Sequence, residues 1–294
     1  MKFGVLVPNW APFEQDTMIR VGLEAESLGF DHLLYTDHLM NPHAESDDLP
    51  DTTVEAWSLI SYMGALTSRI RIGAGVSSVG LRSPALLAKQ VATVDNLIGG
   101  RLDLGLGTGW APGSFGLLGE ELGSPTERLD RFGEGVSLMR RLWLEEKVNF
   151  EGKYFTAHDA VVAPKPLQQP YPPLLLGGFG PRMLEYTAQF GDGWIPWHRP
   201  VDTYASCLKV IRSASKEFGR VTPVTAGTVV MVVPDHLGDV AMDMGQGPPP
   251  NLIVSRVSET VAAYEEAGCE LFIFFLFPAD GAIDTLRDIA RRVI

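Results

Sequence analysis

Short apolar runs alternate with longer amphipathic segments almost from one end of this chain to the other, and this constrains the fold more than any other feature. Eight runs read as strands, at residues 3–7, 32–35, 70–75, 102–107, 174–177, 193–196, 224–232 and 271–275. Most are apolar throughout rather than alternating, as strands covered on both faces require. Helical segments separate or follow them at 15–28, 54–66, 84–97, 126–144, 181–190, 202–218, 254–267 and 282–293. Gly29 and Gly268 stand where helices end, and Ser83-Pro84 reads as a cap followed by a first-turn proline. The alternation predicts a parallel α/β fold. A doubly wound open sheet is the alternative, and periodicity does not separate the two. Eight units, with a helix still following the last strand, favour closure into a (β/α)8 TIM barrel spanning residues 1–294 as one domain. Two stretches break the pattern. Residues 149–173 form a long insertion after strand four, first aromatic and then proline-rich; residues 234–251, rich in glycine and proline, form a lid-like insertion after strand seven.

The hydrophobic share of 45% and charged share of 20% are those of a soluble globular enzyme. A net charge of −12 argues against nucleic acid and anionic membrane as partners. It also means that an anionic ligand must be held by local dipoles and a few cations. The two cysteines, Cys207 and Cys269, are far apart and lack metal-ligand spacing, so both are expected to be buried thiols, with no disulfide and no metal site. The first residues, MKFGVLVPNW, read as a barrel strand rather than a signal sequence, and no apolar stretch approaches the roughly 18 to 20 residues of a membrane helix. A cytoplasmic enzyme acting on a small molecule is the expectation.

In such a barrel the working face is built at the C-terminal ends of the strands. Four ends are unusual here: Thr36-Asp37-His38, GAGVSS (73–78), LGLGTGW (104–110) and LLGGFGP (175–181). In the last, a strand runs into Gly177, Gly178, Phe179 and Gly180 just before Pro181 opens a helix. Exposed N–H groups and a positive helix end make a phosphate cradle there; a ligand-free tight turn is the plain alternative. Gly105, Gly107 and Gly109 form a second glycine turn. His38, at the end of strand two, can act as donor or proton carrier in the mouth, with Asp37 orienting backbone or neutralising charge. His198, after strand six, is a further pocket candidate. Trp194 reads as core, whereas Trp10, Phe13, Trp110 and Trp197 are expected to wall a flat apolar substrate pocket.

The segments GFDHLLYTDHL, IRIGAGVSSVGLRSPALLAKQVATVDNLIGGRLDLGLGTGW and PPLLLGGFGPRMLEYTAQFGDGWIPW resemble the bacterial luciferase-like superfamily, and within it the coenzyme F420-dependent oxidoreductases. The similarity runs from about Phe3 to Trp197. It implies a (β/α)8 barrel with a flavin or deazaflavin ring over its mouth, and a homodimer. Asp37 and His38 match the family's Asp-His pair beside the ring. Gly75 and Val76 match a bulge with a non-prolyl cis peptide under it. Gly107 and Gly109 match the strand-four turn, and Gly177, Gly178 and Gly180 the phosphate turn. Members that oxidise a sugar phosphate carry glutamates where this chain has Trp10 and Trp110, and tryptophan where it has Pro42. The resemblance therefore implies hydride transfer between F420 and a small, apolar organic substrate. An FMN-dependent monooxygenase using oxygen is the alternative, and a barrel that has lost its cofactor a lesser one.

Overall fold

The strands of the computed structural model, which describes residues 1–42, 52–238 and 251–294, follow the apolar runs. They are β1 (Lys2–Val7), β2 (His32–Tyr35), β3 (Arg71–Ser78), β4 (Leu102–Gly107), β5 (Val148–Glu151), β6 (Thr156–Ala160), β7 (Leu174–Leu176), β8 (Gly193–Trp194), β9 (Thr225–Val233), β10 (Leu252–Ile253) and β11 (Leu271–Leu276). The helices are α1 (Gln15–Leu28), α2 (Ala56–Leu66), α3 (Pro84–Leu97), α4 (Pro112–Gly116), α5 (Pro125–Leu144), α6 (Pro181–Phe190), α7 (Val201–Glu217), α8 (Val257–Glu266) and α9 (Ala282–Val293). Strands β1, β2, β3, β4, β7, β8, β9 and β11 pair in parallel in that order, and β11 pairs back onto β1, so the sheet is a closed barrel. The open-sheet alternative is excluded.

Period-two alternation divides the strand side chains between two cores. Val5, Val7, Phe272 and Phe274 face outward and pack with helix residues such as Met18, Val21, Ile60 and Leu87. Leu6, Ile273 and Phe275 face inward with Leu34, Leu175, Ile195, Val229 and Met231. Each fully buried side chain of this size contributes about 1.5–3 kcal/mol, which is why the runs had to be apolar on both faces. Gly29 and Gly268 take left-handed φ values of 92° and 94° at helix ends, where a Cβ would be strained.

At the closed end of the barrel, His32 Nδ1 lies 2.6 Å from Asp103 Oδ2, and Arg71 Nε donates to Asp103 Oδ1 at 2.7 Å. Burial pushes the Asp103 carboxyl up, but His32 and Arg71 outweigh it and hold it below the ordinary carboxylate value. This charged cluster ties β2, β3 and β4 together at the N-terminal ends of the strands, opposite the strand-end motifs.

Several local expectations are corrected. Strand β3 does not stop at Gly75; it continues to Ser78 through an irregularity, its register against β4 shifting between Ala74 and Ser77. The insertion 149–173 is not wholly irregular, because its aromatic part folds as the antiparallel hairpin β5–β6. A short helix, α4, follows the strand-four turn. Of the lid-like stretch 234–251, residues 239–250 lie outside the described residues. Cys269 is buried and its thiol is pushed up to about 11 by burial, whereas Cys207 is only half-buried. Among the described residues no helix is long and apolar enough to cross a membrane, and no cluster of His, Cys, Asp or Glu could hold a metal ion.

Candidate active site

A cavity of about 150 Å³ lies at the C-terminal end of the barrel strands. Its inner wall is apolar, made by Leu6, Leu34, Val76, Ile195 and Val229. The four strand-end motifs meet there: Asp37 and His38, Gly75 and Val76, Gly107 to Trp110, and Gly177 to Phe179 all line it, as do Trp10 and Trp197. Residues as far apart as Leu6 and Val229 converge because parallel strands deliver all their C-terminal ends to one face.

The Gly75–Val76 peptide is cis. Val76 occupies space that glycines on the neighbouring strand leave open. A Cβ built on Gly107 would lie 2.7 Å from Val76 Cγ2, and one on Gly105 only 2.2 Å from the Ala74 carbonyl oxygen. Real Cβ atoms essentially never come this close, so glycine on β4 lets the bulge lie against it without either strand shifting. Gly178 has φ +98°, and its carbonyl accepts a 2.8 Å hydrogen bond from Trp194 Nε1. Trp194 is fully buried and stacks on Tyr204 with centroids 5.1 Å apart. A core tryptophan thus holds the glycine turn in place. Gly180 is the residue before α6, outside the cavity wall; nothing lies within 4 Å of a Cβ built on it, so the helix N-terminus faces open space.

His38 sits between two indoles. Its ring meets Trp10 at 4.8 Å and 84°, and Trp110 at 5.5 Å and 76°. Its backbone is fastened by Asn9, a fully buried residue that sequence reasoning missed. Asn9 Nδ2 donates to the carbonyls of His38 (2.8 Å) and Val54 (2.7 Å), and Thr36 Oγ1 donates to Asn9 Oδ1 (2.9 Å). The available signal was a polar residue directly after an apolar strand, in Val7-Pro8-Asn9-Trp10.

Asp37 is held differently from His38. Its Oδ2 accepts from Ser77 Oγ at 2.6 Å and from Arg82 Nε at 2.8 Å, and its Oδ1 from an Arg82 terminal nitrogen at 2.7 Å. Arg82 also donates to Glu55, whose carboxylate caps α2 by accepting from the Trp57 and Ser58 amides. Burial works against the Arg82 charge, but Asp37 and Glu55 outweigh it and raise its pKa above the ordinary value. Both Asp37 oxygens are thus engaged by Arg82. Arg82, Ser77 and Glu55 were not singled out in the sequence, since each is an unremarkable polar residue until the fold joins them.

Two pocket expectations are corrected. Phe13 is buried in the outer core rather than in the cavity wall, because the turn after β1 folds it beneath α1 and away from the mouth. His198 does not line the cavity; its ring meets Tyr264 at 5.8 Å, and its amide donates to the Val229 carbonyl at 2.7 Å. Trp197, its neighbour, does reach the cavity and packs edge-on against Phe275, with centroids 5.1 Å apart.

Residues 1–243 match the profile of the luciferase-like monooxygenases. The chain belongs to that family. Its relatives include an F420-dependent glucose-6-phosphate dehydrogenase of Kineococcus radiotolerans, 34% identical over 201 residues, which are 67% of this chain and 58% of the relative. The same enzyme of Intrasporangium calvum is 36% identical over 176 residues, 59% of this chain and 51% of the relative. A phthiodiolone/phenolphthiodiolone dimycocerosates ketoreductase of Mycobacterium tuberculosis is 35% identical over 58% of this chain and 45% of its own length. The aligned part of the chain thus spans about half the length of these curated relatives. In fold, this luciferase-like chain is similar over its whole length to an F420-dependent secondary alcohol dehydrogenase, with a TM-score of 0.84, 20% identity and 99% of that chain covered. It is similar also to a monooxygenase from Streptomyces bottropensis, with a TM-score of 0.80, 22% identity, and 100% and 98% of the two chains covered.

Proposed function

We propose that the chain is a coenzyme F420-dependent oxidoreductase that moves a hydride between the deazaflavin and a small, apolar organic substrate, all 294 residues forming one catalytic domain. The observation that carries this reading is the convergence of His38, the Gly75–Val76 bulge and two glycine turns on one apolar cavity. The names of the relatives support the choice of cofactor.

The residues present fit such a group. The apolar wall suits a flat ring with Val76 beneath it, glycine at 107 admits Val76 against β4, and Gly177 to Gly180 leave the N-terminus of α6 open to an anionic tail. When bound, F420 supplies a ring carbon that gives or accepts a hydride. The protein's own part is orientation, exclusion of water and movement of a proton. An imidazole nitrogen of His38 gives a proton to, or takes one from, a substrate oxygen or nitrogen, so that opposite charges need not develop unaided. Trp10 and Trp110 hold the imidazole plane, and with Trp197 they offer the substrate apolar surface. Among the described lining residues there is no lysine or arginine, which supports an uncharged substrate over a phosphorylated one.

The second reading is an FMN-dependent monooxygenase, favoured by the family's name and by a slot that suits either ring. Titrating the apoprotein with F420 and with FMN, followed spectroscopically, separates the two. Tighter binding of F420, with slow reoxidation by oxygen, is expected. Preference for FMN overturns the cofactor assignment, and refusal of both leaves a binding barrel. We further read the chain as a cytoplasmic homodimer without nucleic-acid or membrane partners. The net charge of −12 supports the last part, and light scattering of the purified protein checks the dimer.

A further inference from the structure

Two of the segments that build the cavity lie on the adjacent strands β2 and β3. One carries His38 after β2, and the other carries Gly75 and Val76 within β3. A single side chain joins them from behind. Arg82 lies in the turn after β3, where its amide donates to the Ser78 carbonyl at 3.3 Å. Its guanidinium grips both oxygens of Asp37, the residue before His38. Asp37 in turn accepts from Ser77 Oγ, one residue beyond Val76, and Trp57 Nε1 donates to that same oxygen at 3.1 Å. The terminal nitrogen of Arg82 that reaches Asp37 Oδ1 donates also to Glu55, whose side chain is 43% exposed, while those of Arg82 and Asp37 are 10% and 2% exposed.

We propose that Arg82 is a positioning residue: through Asp37 and Ser77 it sets the distance between the His38 loop and the Gly75–Val76 bulge, and so the width of the slot between them. The inference rests on the reading of that slot as the cofactor site. Holding these loops together would not by itself need charge, and apolar residues would do it without the cost of desolvating an ion pair. A planar fork on a carboxylate adds direction, because two parallel N–H···O bonds fix the plane of the carboxylate as well as its place. That plane decides where the remaining lone pair meets the Ser77 hydroxyl. Lysine keeps the charge and loses the fork.

The test compares Arg82→Lys with Arg71→Lys. Arg71 pairs with one oxygen of Asp103 at the other end of β3, so its substitution measures the cost of losing an arginine–carboxylate pair far from the cavity. Dissociation constants for F420 and for FMN are read by titration, and melting temperatures by calorimetry. Arg82→Lys is expected to weaken binding of the preferred cofactor by about 10-fold. Arg71→Lys should lower the melting temperature to a similar degree and leave the dissociation constant within about 2-fold. Equal dissociation constants for wild type and Arg82→Lys overturn the positioning role, and so does an equal loss of affinity in the two variants. If Arg82→Lys does not fold, the double variant Arg82→Met with Asp37→Asn removes both charges while keeping an acceptor for Ser77. Wild-type affinity in it overturns the role of the fork, and weakened affinity at a retained fold supports it. A wild-type protein that binds neither cofactor fails the reading of the slot instead, which is a separate result.

Discussion

Gly107 faces Val76 so closely that a single added carbon would come within 2.7 Å of its Cγ2. The two residues sit on adjacent strands, and the bulge in β3 is what brings the valine across. The width of the slot at this point is thus set by the absence of a side chain on β4.

Gly107→Ala should therefore narrow the slot rather than unfold the barrel. Val76 has to move into the cavity or back against the wall, at a cost typical of overpacking, about 1–3 kcal/mol. The expected result is a cofactor dissociation constant raised by about 10-fold or more with the melting temperature only modestly lowered. Unchanged affinity would mean that the ring does not lie over this pair.

Gly178→Asp tests the anion cradle. The backbone there has φ +98°, and the substitution adds a strained Cβ, 3.1 Å from Met183 Cγ, together with a carboxylate near the start of α6. Cofactor binding is expected to weaken by about 2 kcal/mol or more. Gly178→Ala carries the strain without the charge, so the difference between the two variants isolates repulsion of a phosphate. Equal affinities for the alanine and aspartate variants would put the anion elsewhere.

The proposed mechanism rests on His38. His38→Ala should lower kcat by about 100-fold or more, the usual cost of losing a positioned acid or base, while the cofactor dissociation constant stays within about 3-fold. His38→Asn keeps a hydrogen bond and cannot titrate; partial recovery in it means that orientation dominates. Turnover of His38→Ala at the wild-type rate would make the residue structural.

Stability should depend on pH through Asp103. Its folded pKa lies below the ordinary value of 3.8, because His32 and Arg71 outweigh burial. A carboxylate of this kind stabilises the fold above its unfolded pKa, and that contribution fades as pH falls through the folded value. Asp103→Asn should cost about 3 kcal/mol near neutrality, where it leaves Arg71 without its carboxylate. Urea midpoints for wild type and variant should converge as the pH drops below about 4. A gap that stays constant across this range would show that Asp103 contributes through shape and not charge.

The barrel was legible in the sequence because its cause is local and repeated. The barrel strands are apolar on both faces, the long helices carry an apolar face, and Gly29 and Gly268 mark helix ends with a left-handed backbone. The strand-end motifs were legible for a related reason: glycine where a neighbour's side chain intrudes, as at Gly107, and proline where a helix begins, as at Pro181. Recognition of the Asp37-His38 pair belongs to the same level, since it needs only residue type and position after a strand. What the tertiary structure alone decided was which polar groups meet. Nothing in the order of residues says that Asn9 fastens the backbone of His38, that Trp194 holds the Gly178 carbonyl, or that Arg82 takes both oxygens of Asp37, because these partners lie 16 to 45 positions apart. Nor does it say that Phe13 turns beneath α1 while Trp10, three residues earlier, turns into the cavity. Burial of apolar area is a property each segment carries with it. A hydrogen bond or ion pair depends on the distance and direction between two atoms, and only the closed barrel sets those.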